Sequence, residues 1–198
     1  MIYLRSPVDA PYNVVQSGWG DDRSYRGGLH EGVDFRTPIG TPIRSVADGV
    51  VRAAFTAPDG NAGNMVEVQH AGGLASRYLH LDSWGVNVGQ RVSQGQQIAK
   101  SGETGSAKGD PQLHFDLRAN ASFLNEYKNA FGVPGPSGFP QHDQEWAVPT
   151  EALVDAVYTP EVKARSGALG VKFYSGVGVG VLLVAAGLGY LGWRWLKA

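Results

Sequence analysis

From Gln112 the chain alternates: Gln112, His114 and Asp116 fall on one side, Leu113, Phe115 and Leu117 on the other. A period of two marks a strand with one face in a core and the other turned to water or a cleft. Residues 76–81 repeat the pattern, and alternation there groups Ser76, Tyr78 and His80. Residues 65–70 read as a partner strand, joined to them around Gly72-Gly73. Residues 43–46 and 50–53 flank Asp48-Gly49, a pair that predicts a hairpin. Short strands punctuated by turn residues predict a mainly β, antiparallel domain over residues 1–120.

The pattern then changes twice. Residues 121–172 are mixed, with a helix expected over 121–130. The segment from Gly132 to Pro140 is too rich in Gly and Pro for regular structure, and Thr159-Pro160-Glu161 reads as a helix start. From Phe173 to Trp193 there is no charged residue. About 20 apolar residues are needed to cross a bilayer as a helix. Tyr174, Trp193 and Trp195 sit at the two ends, as interfacial aromatics do, and Lys172 and Arg194 bracket the uncharged run. This predicts a C-terminal transmembrane helix over residues 173–195 and a single-pass membrane location. Lys163, Arg165 and Lys172 before it nearly balance Arg194 and Lys197 after it, so charge does not set an orientation. Gly176 and Gly180 form a small-xxx-small pair able to pack helices into a homo-oligomer.

Composition narrows the partners. The 198 residues carry a formal net charge of −1 and include 28 glycines and no cysteine. There is no basic footprint for nucleic acid. Disulfides are excluded, and either redox compartment is allowed. Abundant glycine suits a turn-rich β domain and a glycine-rich span.

The candidate chemistry lies in three short stretches: His30-Glu31-Gly32-Val33-Asp34, Tyr78-Leu79-His80-Leu81 and Leu113-His114-Phe115-Asp116. Imidazoles and carboxylates in these combinations can hold a zinc ion, with a further imidazole beside it. Without cysteine, any zinc must be bound by His, Asp or Glu. A three-ligand nitrogen and oxygen site suits hydrolysis better than a closed structural site. The alternative is that these are polar edge-strand residues facing water.

These stretches belong to a longer series. It includes Thr37-Pro38-Ile39-Gly40-Thr41-Pro42-Ile43, Asp48-Gly49-Val50-Val51, Gly63-Asn64-Met65-Val66-Glu67-Val68, Gly89-Gln90-Arg91-Val92, Gly95-Gln96-Gln97-Ile98 and Gly102-Glu103-Thr104-Gly105. In order and spacing, from about Gly28 to Arg118, the series resembles the lysostaphin-type zinc metallopeptidases, which cut peptides of bacterial peptidoglycan. The resemblance implies an antiparallel-sheet lysostaphin-like peptidase domain. It implies Zn2+ bound by His30, Asp34 and His114, and a non-ligand active-site imidazole at His80.

The chain departs from the family at Gln112, where the family has the first histidine of a His-x-His motif. A glutamine amide donates hydrogen bonds but cannot take up a proton near neutral pH. Asp116 stands where the family tends to have glutamate. His70 and His142 are the remaining histidines, read as a strand-end residue and a solvated loop residue. Tyr78, grouped with His80 by alternation, is a candidate substrate contact.

The expected function is a membrane-anchored zinc endopeptidase of peptidoglycan. The alternative is a catalytically impaired, zinc-holding wall-binding or structural membrane protein. The first residues show no basic region followed by an apolar run, so no secretory signal peptide is expected. An N-terminal peptidase with a C-terminal anchor suits a bacteriophage virion membrane, where a lysin would open the wall on entry.

Overall fold

The computed structural model describes residues 4–18, 21–23, 28–57, 60–123, 141–142, 145–148, 154–155 and 157–158. The strand Gln112–Asn120 lies at the centre of the largest sheet. On one side it pairs antiparallel with Leu74–Leu79, which leads through Met65–Gln69 and Gly49–Phe55 to Arg91–Val92. On the other side its first half pairs with Val33–Arg36 and its second half with Glu145–Val148. Val14–Ser17 and then Val157–Tyr158 extend this edge. A second sheet is formed by Leu81–Trp84, Gln97–Ser101 and Pro42–Arg44. The expected mainly β, antiparallel architecture is present. Short strands within the segment expected as a connector hydrogen-bond onto this domain.

The alternation of residues 112–117 sorts as expected. Leu113, Phe115 and Leu117 are fully buried with Val33, Phe35, Val66, Val68 and Tyr78, joined by Ile43, Leu81 and Ile98 from the second sheet. Burying each large apolar side chain contributes roughly 1.5–3 kcal/mol.

Two expectations change. Residues 43–46 and 50–53 do not form a hairpin. Pro42–Arg44 pairs with Gln97–Ser101, while Gly49–Phe55 pairs with Met65–Gln69. The intervening Ser45, Val46 and Ala47 are buried, and their polar groups are used elsewhere: Ser45 Oγ donates to the Ala47 carbonyl, and the Val46 carbonyl accepts from the Arg5 N–H. On Leu74–Leu79 the alternation holds but the face is reversed. Ser76 and Tyr78 point into the core, and Arg77 lies on the face of Asp116.

The Gly72-Gly73 turn forms as expected, both glycines having positive φ. Of the helix expected over 121–130, residues 121–123 are helical and the remainder lies outside the described residues. The segments 132–140 and 159–161 and the apolar run 173–195 also lie outside them. Among the described residues no helix is long and apolar enough to cross a membrane.

Candidate metal centre and active site

Asp34 sits on Val33–Arg36 directly opposite His114 on the central strand. Alternation turns both side chains away from the apolar core. His30 precedes that strand in an irregular stretch, held by its N–H to the Asp21 carbonyl at 2.8 Å. Gly32 between them is required by space. A Cβ there would stand 2.5 Å from the Phe115 carbonyl oxygen and 2.9 Å from His114 Nε2.

Three atoms converge. His114 Nδ1 is 2.8 Å from Asp34 Oδ1 and 3.0 Å from His30 Nε2, and His30 Nε2 is 3.2 Å from Asp34 Oδ1. All three residues are shielded from solvent, His114 least completely. His30 Nδ1 donates to the Gly18 carbonyl at 2.8 Å, which leaves the lone pair on Nε2. His114 Nε2 faces Asp116 Oδ2 at 3.4 Å, which turns Nδ1 inward. Two ring nitrogens and a carboxylate oxygen thus converge as ligand atoms for a cation, and protons on the rings take the cation's place in the metal-free protein. Tetrahedral zinc, with bonds of about 2.0–2.1 Å, sets ligand atoms about 3.3 Å apart. The observed separations are slightly tighter, so the residues fit the ion, and the three form a group able to hold a metal.

Charge is shared accordingly in the metal-free protein. Burial opposes ionisation of Asp34, but hydrogen bonds from His114 and His30 outweigh it and hold the carboxyl well below its usual range. Burial likewise disfavours the His114 imidazolium, yet Asp116 and Asp34 together push it up to about 9.

His80 comes to the same place by a break in its strand. Simple alternation would send it into the core with Ser76 and Tyr78. Instead it lies between two strands at φ 63, a left-handed conformation uncommon outside glycine. That turn brings its ring to 6.1 Å from the His114 ring, centroid to centroid. Its N–H donates to the Ala62 carbonyl at 3.0 Å, and its Nδ1 donates to the Thr104 carbonyl at 2.9 Å. A strained residue over-determined by its surroundings is characteristic of active sites. Gln112, half-buried, is two residues before His114 on the same strand face, with its N–H on the Gly102 carbonyl at 3.1 Å.

Tyr78 is placed elsewhere. It is fully buried, its ring packs 5.2 Å from that of Phe115, and its hydroxyl bonds Ser76 Oγ and the Val46 N–H, both at 3.0 Å. Burial pushes its hydroxyl up to about 12. A substrate contact at Tyr78 is therefore replaced by a core role. His70, also buried, closes this network through Ser76 Oγ and the Asp48 carbonyl, each at 2.8 Å. His142 lies on the short strand Gln141–His142.

Sequence reasoning did not identify the outer partners: the Gly18 and Thr104 carbonyls, and Arg77 and Arg118 around Asp116. Backbone carbonyls carry no residue-type signal. Arg77 did, as the one charged residue of the strand Leu74–Leu79.

Residues 28–126, half of the chain, match Peptidase family M23. The chain is 42% identical over 119 residues to the peptidoglycan DD-endopeptidase ShyB of Vibrio cholerae, covering 58% of this chain and 27% of that protein. It is 37% identical over 145 residues to ShyA, also a peptidoglycan DD-endopeptidase of Vibrio cholerae, covering 71% and 32%. Among solved structures it is similar to a zinc-containing peptidase from Vibrio cholerae, with 40% identity, a TM-score of 0.53, and 59% of this chain and 36% of that one covered. The chain spans about a third or less of the length of these relatives.

Proposed function

The chain belongs to peptidase family M23, the lysostaphin-like zinc peptidases, and from that premise we propose that it is a zinc-dependent endopeptidase of bacterial peptidoglycan. The observation that carries this reading is the convergence of His30 Nε2, Asp34 Oδ1 and His114 Nδ1, with His80 beside them. These three residues would hold a zinc ion, and the chemistry it would supply is Lewis acidity toward the scissile carbonyl and the attacking water.

The chain's own groups handle the rest. With Nδ1–H committed to the Thr104 carbonyl, His80 has its basic lone pair on Nε2. It takes up the proton of the attacking water and returns it to the leaving amine. Gln112 orients the water or the substrate amide through hydrogen bonds and exchanges no proton. Single-imidazole proton handling sets this site apart from the two-histidine pattern of the family.

The test is purified peptidoglycan incubated with the protein, with and without chelator, counting new amino termini. Chelator-sensitive release supports the endopeptidase; release that chelator leaves unchanged rejects it. Gln112 favours one second reading, a wall-binding protein that holds zinc without cutting. That reading requires sedimentation with peptidoglycan and no release of amino termini. We also propose that the uncharged run 173–193 anchors the protein in a lipid membrane.

A further inference from the structure

Asp116 gathers three ion-pair partners, Arg77, Arg118 and His114, inside the described fold. It is fully buried, and Arg77 grips it as a fork, Nε to Oδ1 at 2.8 Å and Nη2 to Oδ2 at 2.7 Å. Arg118, itself 5% exposed, adds Nε to Oδ1 at 3.1 Å and reaches Glu31 Oε2 through Nη2 at 3.0 Å. The layer continues outward along the same face, where Arg52 pairs with Glu67 and with Glu145. Buried ion pairs return little net stability, because desolvation offsets most of the Coulomb gain. Stability alone therefore does not account for a carboxylate clamped by two guanidinium groups.

Its position does. Asp116 Oδ2 lies 3.4 Å from His114 Nε2, the ring nitrogen opposite the one that meets Asp34 and His30. We propose that Asp116 is the positioning residue of the metal site. It keeps the proton on His114 Nε2, aims the Nδ1 lone pair at the metal and fixes the ring plane. Arg77 in turn fixes Asp116 by its two-point grip. His30 is held by a neutral backbone carbonyl instead, so the two imidazole ligands differ in how firmly they are held. Outer partners of this kind commonly change metal affinity about 10–100-fold when removed. The inference rests on the reading of His30, Asp34 and His114 as a metal site.

Zinc affinity of the full-length protein, measured by competition with a chromophoric chelator, tests it without reference to catalysis. Thermal unfolding reports whether each variant folds. Asp116→Asn weakens zinc binding about 10–100-fold, and Asp116→Glu, which restores a carboxylate, recovers most of the loss. Arg77→Lys keeps the charge but not the fork, and gives a smaller loss. Arg52→Gln, in the same layer but without contact to Asp116, keeps wild-type affinity. Wild-type affinity in folded Asp116→Asn overturns the inference. So does a loss in Arg52→Gln as large as that in Asp116→Asn, which would mark general damage to the layer. If Asp116→Asn fails to fold, Arg77→Lys decides by the same criterion. A wild-type protein that binds no zinc rejects the metal-site reading itself.

Discussion

In the proposed mechanism His80 and Gln112 divide a task that two imidazoles perform in the family pattern, and this division can be measured. His80 is not one of the converging ligand atoms, so His80→Ala leaves zinc content at wild type while lowering cleavage of peptidoglycan by about 10²–10⁴-fold, the usual worth of acid–base help. Gln112→His adds a group that exchanges protons near neutral pH and raises turnover. Cleavage by His80→Ala at the wild-type rate would contradict the assigned role. A second expectation concerns protons released on metal uptake. In the metal-free protein His114 is raised to about 9, so near neutral pH its ring carries a proton that zinc must displace. Zinc uptake then releases about one proton at neutral pH. The release declines as pH rises through 9, and affinity increases with pH up to that point and flattens above it. Calorimetric titration in two buffers of different ionisation enthalpy counts the protons. A zinc-binding enthalpy independent of buffer at neutral pH would refute the assignment.

The strands carry these residues, and at this scale the legibility of the sequence is uneven for physical reasons. Alternation over residues 112–117 was readable because one face is apolar and the other is not, and the structure keeps both faces. The same rule on Leu74–Leu79 gave the wrong face: the polar Ser76 and Tyr78 are buried because each has a hydrogen-bonding partner inside, which periodicity cannot register. The supposed hairpin at Asp48-Gly49 failed because a turn signal does not specify which strands pair, and the partners here are distant in sequence. His80 was readable as a motif residue but not from its strand, since its positive φ breaks the alternation. Two substitutions test the packing. Tyr78→Phe leaves the buried Val46 N–H without its partner, while Ser76 Oγ keeps His70, and costs about 1–3 kcal/mol, read by denaturant unfolding. A cost near zero would mean that the hydroxyl is dispensable. Gly32→Ala forces its new methyl against the Phe115 carbonyl and the His114 ring, so it lowers zinc affinity as well as stability. Unchanged zinc affinity would show that the strand shifts without disturbing the ligands.

The whole molecule joins a β domain, whose candidate metal-ligating atoms among the described residues belong to His30, Asp34 and His114, to an uncharged run at residues 173–193. A globular helix of such length normally shows a polar face, and this run shows none, while aromatic residues at both ends and Lys172 and Arg194 beyond them match a bilayer's interfaces. If the run is an anchor, its removal and the metal chemistry separate cleanly. Deleting residues 170–198 moves the protein from a carbonate-resistant membrane fraction to the supernatant, with zinc stoichiometry unchanged, because no ligand is lost. The full-length chain remains with the membranes through the carbonate wash, since carbonate strips peripheral proteins and leaves spanning helices in place. Recovery of the intact full-length chain in the carbonate supernatant would reject the anchor. Loss of zinc from the truncated chain would show instead that the segment supports the fold around His30, Asp34 and His114. An anchored enzyme and a diffusing one also differ in reach. Tethered to a bilayer, the domain can cut only wall peptides held close to that surface, so the full chain in liposomes should release fewer amino termini from sedimented peptidoglycan than the same amount of the truncated chain. Equal release from both would mean that the run does not confine the domain.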